Sequence, residues 1–239
     1  MAAAGFDAPP RRFYKTVDVA QSEGGFAVRL DGRAPKSPKG SPLVLPTKAL
    51  AELIAAEWDT QGEAILLSGM NATRRAFTAI DQIPPARAEV AQEIAHYAGS
   101  DVLCYRAGAP KALADRQEAA WDPVLDWAAL ELGLRLECAH GITHVSQAGE
   151  SLMRALELAL AADDMTLTAL AEATALFGSA VLAFALQHGR IDASTALDLS
   201  RLDEIFQIEQ WGVDEEAAAR IADHSRQAAG LQAWFEALA

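Results

Sequence analysis

Few residues in this chain have the types and spacing that chemistry needs. His140 and His144, in the run HGITH, stand four apart, the spacing that puts two imidazoles on one helical face for zinc. No Glu follows the first His, and Gly141 with two β-branched neighbours favours loop or strand there. Asp163 and Asp164 form a carboxylate pair at a helix junction, where capping accounts for them. Tyr97, Asp101 and Tyr105 recur every fourth residue in HYAGSDVLCYR, with Arg106 beside the last. If the helix continues through Gly99, one face carries two phenols around a carboxylate. That arrangement serves either a buried hydrogen-bond network or a small-molecule or enzymatic site. Cys104 and Cys138 lie far apart in sequence with no C-x-x-C spacing, as free thiols of a reducing compartment do. There is no Walker loop, no G-x-G-x-x-G after a strand and no G-x-S-x-G elbow. No catalytic, cofactor or metal residue is assigned.

The elements that position these residues fall into two groups. Through residue 46 the pattern is extended. Phe13, Val17 and Val19 alternate with polar neighbours, then Phe26, Val28 and Leu30 do the same, with turn chemistry at Gly24-Gly25 and Asp31-Gly32. A hairpin or meander is expected. Pro35, Pro38, Pro42 and Pro46 keep the next stretch out of helix. Thr47 caps a helix through about Gln61 that carries Leu50, Leu53, Ile54 and Trp58 on one face. Residues 64–67 read as a returning strand and 72–80 as a short helix.

Pro84-Pro85 mark a boundary, and beyond it the pattern is helical almost throughout. Helices are expected at 86–98, 111–133 (kinked or restarted near Pro123), 148–161, 165–187, 193–211 and 214–238, with a short extended piece at 134–139. The segment 175–186 is apolar all round and rich in small residues, the profile of a central helix. The expected fold class is therefore α+β: a β-rich domain over 1–84, then a larger helical bundle over 85–239.

Composition narrows the partners. Apolar residues make up 51% of the chain, enough to bury a core, and the net charge is −13. The acidity is concentrated after residue 46, where Asp and Glu outnumber Lys and Arg by more than two to one. Such a body repels phosphate backbones, so nucleic acid is not an expected partner. The first residues lack the layout of a secretory or transit signal, and the longest apolar run is too short to span a bilayer, so a cytoplasmic protein is expected.

One segment carries the sharpest signal, SRLDEIFQIEQWG at 200–212. At about 100° per residue, Leu199, Leu202, Ile205 and Phe206 form an apolar stripe about 120° wide. Ser200, Glu204, Gln207 and Trp211 fall together on the opposite side. A tryptophan there is either covered by the following helix or anchors a protein contact with a polar rim.

These residues, with RFYK (12–15), the LDGR…P-K-x-P stretch (30–38), AEWDTQGE (56–63) and YAGSDVLCYR (97–106), resemble the assembly-chaperone family that attends the alpha subunit of F-type ATP synthase in mitochondria and alphaproteobacteria. The resemblance implies a small β-rich domain followed by a helical one. It also implies a non-enzymatic chaperone without cofactor, which holds the free alpha subunit against aggregation in the bacterial cytoplasm or, for eukaryotic members, the mitochondrial matrix. Arg201, Leu202, Glu204, Gln207, Trp211 and Gly212 match the family pattern. Of these, Arg201, Glu204, Gln207 and Trp211, with Asp203 and the acidic start of the next helix, Asp214 and Glu215, form the client-binding surface that the resemblance implies. The stretch VDEEAAAR after Gly212 departs from the pattern of the mitochondrial members, and Trp58 matches it but sits on a core-facing helix stripe.

Overall fold

A computed structural model describes residues 9–141, 144–212 and 215–239. Two compact units emerge from the chain: one runs up to Gln82 and regains Glu236–Ala239, and the other spans Ile83–Phe235.

The first unit begins with the hairpin that the alternation demands. Strands β1 (Val17–Ser22) and β2 (Gly25–Leu30) pair antiparallel from Val17 opposite Leu30 to Ser22 opposite Gly25, leaving Glu23 and Gly24 as the turn. The positive φ of 84° at Gly24 is one that a residue without Cβ adopts freely. Strand β3 (Val44–Leu45) adds to β2 antiparallel, so the sheet is a β1-β2-β3 meander. Asp31, which has a positive φ of its own, closes the hairpin base: its carboxylate accepts the N–H groups of Lys15 and Thr16 and the Thr16 hydroxyl.

Helix α1 (Lys48–Asp59) starts where Thr47 indicates, with the Thr47 Oγ1 accepting the Leu50 N–H at 3.1 Å. It lies on the sheet and buries Leu50, Ala51, Ile54 and Trp58 with Val28, Leu30 and Leu45. Leu53 is only half-buried, and Trp58 is core. Helix α2 (Asn71–Asp81) has no side-chain cap from its own N-cap residue. Instead Glu57 of α1 reaches across and accepts the N–H groups of Ala72 and Thr73 at 2.8 and 2.7 Å, placing a carboxylate at the positive end of the helix. Residues 64–67 do not form the expected strand. Only Ala64 bridges to Arg11, and Leu67–Gly69 wind into a short 3-10 turn.

The second unit is helical, and its core is built from α3 (Ile83–Gly99), α5 (Gly149–Ala161), α6 (Asp164–Phe177) and α7 (Ala180–Gln187). Pro84 and Pro85 sit in the first turn of α3, where missing N–H groups cost nothing. In α7 every residue from Ala180 to Leu186 is buried, as the all-round apolar pattern requires. The single helix expected over 165–187 is two, however. Gly178 takes the left-handed conformation that closes α6, and Ser179 caps the Leu182 N–H to begin α7.

A second expected helix, 193–211, also divides. Helix α8 (Ala193–Ser200) ends at Arg201, whose φ of −121° is not helical, and α9 (Leu202–Trp211) follows. Helix α4 (Lys111–Glu131) does the reverse and runs unbroken through Pro123. Strands β4 (Tyr105–Arg106) and β5 (Ala139–His140) pair in parallel, so of the extended piece expected at 134–139 only Ala139 enters a strand. Helix α10 (Glu215–Leu238) closes the chain. Among the described residues no helix is long and apolar enough to cross a membrane. The fold class is α+β, a small N-terminal sheet region followed by a helical domain.

Candidate functional site

The break at Arg201 decides how α9 is presented. Leu202 is buried at the start of the helix, whereas Ile205 and Phe206 of its stripe, and Ile208 beside it, are only half-covered. Polar groups secure the helix against α4. The Gln117 Nε2 donates to Asp203 Oδ1 at 2.5 Å, and Arg116 pairs with Glu209 at 2.7 Å. Just before α9, the Trp121 indole donates to the Leu199 carbonyl at 2.9 Å. The hydrogen bond from Arg116 holds the Glu209 carboxyl below the usual glutamate range.

Arg201 folds its guanidinium onto Glu204, with contacts of 2.9 and 2.5 Å to one carboxylate oxygen. Gln207 is exposed. Trp211, in the last turn, is 81% exposed, and Gly212 with φ 84° ends the helix after it. No Lys or Arg occurs within α9 against its three carboxylates. The result is a helix pinned to α4 by Asp203 and Glu209, with an exposed indole in its last turn. Exposed tryptophans of this sort are the side-chain type enriched at protein–protein hot spots.

The structure places Asp203, Glu204, Gln207 and Trp211 on α9 with Arg201 at its N-cap, but Ser200 belongs to α8 and donates to the Leu197 carbonyl. Asp203 is engaged with Gln117 rather than free. Asp214 and the Glu215 side chain lie outside the described residues, as do Ile142 and Thr143 of the HGITH run.

The Tyr97/Asp101/Tyr105 cluster does not form. Helix α3 ends at Gly99, so the four-residue period is lost and the three side chains share no helical face. Asp101 is fully buried and accepts the N–H of Leu103 and, from the start of α7, that of Val181, each at 3.1 Å. Burial pushes its carboxyl up to about 6 although these donors pull the other way. The Tyr105 hydroxyl meets the His144 Nδ1 at 3.1 Å instead. Asp101 caps two helical starts, and these three side chains form no joint small-molecule site. Asp163 likewise caps α6 through Met165 and Thr166, and Asp164 pairs with Arg87. Among the described residues no three His, Cys, Asp or Glu side chains gather as a metal would need.

Sequence reasoning missed one surface feature. Pro123, Asp126, Trp127, Leu130, Glu131 and Arg190 line an open groove of about 570 Å³, with Leu130 79% exposed. Trp127 and Leu130 stand three apart on α4, a spacing that marks a shared face; what conceals them is that the same period reads equally well as core.

Two solved structures superpose on nearly all of this chain. The crystal structure of Atp12 from Paracoccus denitrificans matches with a TM-score of 0.90 and 42% identity, covering 95% of this chain and 97% of that one. A point mutant of the same Paracoccus protein matches equally well. The sequence model of the family described as ATP12 chaperone protein fits residues 11–129. The chain belongs to the ATP12 chaperone family. The mitochondrial protein atp12 of Schizosaccharomyces pombe is 26% identical over 223 residues, covering 87% of this chain and 75% of its own length. Because the matched stretch of the ATP12 family model stops inside α4, the reading of α9 rests on its geometry.

Proposed function

We propose that this chain is a non-enzymatic assembly chaperone that holds the free alpha subunit of F-type ATP synthase until the catalytic head is built. In this reading α9 grips the client: Trp211 is the anchor, Arg201, Asp203, Glu204 and Gln207 add polar contacts, and Asp214 and Glu215, next in sequence after the helix, extend them. Its compartment is the cytoplasm of a bacterial cell, and it needs no cofactor. The observation that carries the reading is an 81% exposed tryptophan at the tip of an acidic helix, in a chaperone family member. A holding protein must attract an unassembled apolar surface without joining copies of itself. Net charge of −13 keeps copies apart, while one indole with a polar rim still binds. Such a contact stays below about 2,000 Å² of total buried area and yields to the client's permanent neighbours.

The test is to titrate the purified alpha subunit from the same organism against wild type, Trp211→Ala and the double reversal Asp203→Lys/Glu204→Lys. Trp211→Ala weakens binding at least about tenfold, as loss of an interface hot spot does. Its unfolding free energy stays within about 0.5 kcal/mol of wild type, because the indole is solvated in the free protein. Unchanged affinity in Trp211→Ala removes α9 as the docking element. Failure of the wild type to bind or to suppress aggregation of the alpha subunit removes the client.

A further inference from the structure

The two cysteines, distant in sequence, are neighbours in space. Cys104 ends the short 3-10 turn Val102–Cys104 and directly precedes β4; Cys138 directly precedes β5. Parallel pairing of Tyr105 with Ala139 therefore sets the cysteines side by side, near enough that each thiol shifts the titration of the other. Adjacent strands lie about 5 Å apart, within the Cα separation that a disulfide bridges without backbone movement. The two environments differ. Cys104 is wholly buried and Cys138 is exposed. Beside Cys138 stands the Arg106 guanidinium, with Nη2 3.9 Å from its Sγ. That cation is held in place: its side chain is 3% exposed, bonded to Asp122 and to the Gln117 carbonyl, and stacked near the Trp121 ring.

We propose that Cys138 and Cys104 form a reversible oxidation site, in which the exposed thiol takes a hydroperoxide and the buried one resolves the product as an intramolecular disulfide. The asymmetry assigns the roles. Interaction with the Cys104 thiol, reinforced by Arg106, lowers the Cys138 thiol to about 7, so a large fraction is thiolate at neutral pH. The same interaction and burial push the Cys104 thiol up, keeping it protonated until its partner is oxidised. A low-pKa, accessible thiol next to a resolving one is the arrangement that oxidises selectively and reversibly.

In the first step the Cys138 thiolate attacks the peroxide. A sulfur–oxygen bond forms, the O–O bond breaks, and the departing hydroxide or alkoxide takes a proton. Cys138 gives up two electrons and becomes a sulfenic acid. In the second, the Cys104 sulfur attacks that sulfur, the S–S bond forms, the S–O bond breaks, and the Cys104 proton leaves with the hydroxide as water. A small dithiol returns both residues to thiols by exchange.

The reduced full-length protein, titrated with hydrogen peroxide, reads this out. Free thiols are counted with a chromogenic disulfide, and non-reduced peptides are mapped by mass spectrometry. Both thiols disappear together at about one equivalent of peroxide, a Cys104–Cys138 linked peptide appears, and dithiothreitol reverses the change. Cys104→Ala leaves Cys138 as a sulfenic acid that dimedone captures, and Cys138→Ala leaves Cys104 unoxidised. If Cys104→Ala fails to fold, the wild-type titration decides by itself. Retention of both thiols, oxidation of Cys138 to sulfinate beside a reduced Cys104, or a disulfide joining two chains would each overturn the proposal.

Discussion

At the scale of single residues, Asp101 shows how a group that looks chemical becomes structural. Sequence spacing places it between two tyrosines, but its acceptor oxygens serve Leu103 and Val181, the latter 80 positions away. No local pattern announces that partner. The consequence is a pH dependence. Burial raises the folded carboxyl to about 6, above the ordinary 3.8, so the folded state holds the proton more tightly than the unfolded one. The stabilisation this provides is complete below about pH 3.8 and is lost as the pH rises through about 6. Between pH 5 and 7 the loss amounts to about 1 kcal/mol. Urea denaturation across that window shows the decline in wild type and not in Asp101→Asn. The variant is less stable throughout by about 1–3 kcal/mol, because its amide turns an NH2 towards a backbone N–H. Equal pH slopes in the two proteins would mean that Asp101 is ionised in the folded state.

Element boundaries were legible wherever the chain carries its own signal. Thr47 begins α1 and the Pro84-Pro85 pair lies in the first turn of α3. They were illegible where a distant group makes the break. The division between α6 and α7 uses Gly178, but it is Asp101, from another segment, that satisfies the N–H this division frees at Val181. Similarly, Arg201 leaves helical geometry while Trp121 and Gln117 of α4 hold the residues on either side of it, Leu199 and Asp203. Trp211 was legible as an aromatic on the polar face, yet its exposure depended on what α10 covers, which periodicity does not encode.

The sheet offers a test at the same scale. A Cβ added at Gly25 would lie 2.1 Å from the Leu45 carbonyl oxygen, whereas one at Gly24 meets nothing within 4 Å. Both glycines have positive φ, so Gly24→Ala reports the conformational cost alone, about 1–2 kcal/mol. Gly25→Ala must also displace β3 and exceeds the Gly24→Ala loss by at least about 2 kcal/mol in urea denaturation. Similar losses for the two variants would show that β3 gives way freely.

At the scale of the whole chain, the division into units contains one feature that no reading of helical period supplies. The pattern of α10 runs evenly to Leu238, but Trp234 and Phe235 are buried in the second unit, and Glu236–Ala239 belong to the first. The Trp234 indole donates to the Met165 carbonyl of α6 at 3.1 Å, while the Ala237 carbonyl accepts from the Thr47 hydroxyl at 2.5 Å. Thr47 thus does two things at once, capping α1 through its acceptor lone pair and holding the chain's last residues through its proton. Removal of residues 236–239 strips the Thr47 hydroxyl of its acceptor and leaves the α1 cap intact, at a cost of about 1 kcal/mol to the first unit. Thr47→Ala loses both bonds and costs about 2 kcal/mol. The two changes combined are less than additive, because they share one hydrogen bond. Amide hydrogen exchange locates the effect: protection falls in α1 and the β1–β2 hairpin and is unchanged in α6 and α7. Additive losses, or loss of protection in α7 on truncation, would show that the last four residues serve the helical unit instead.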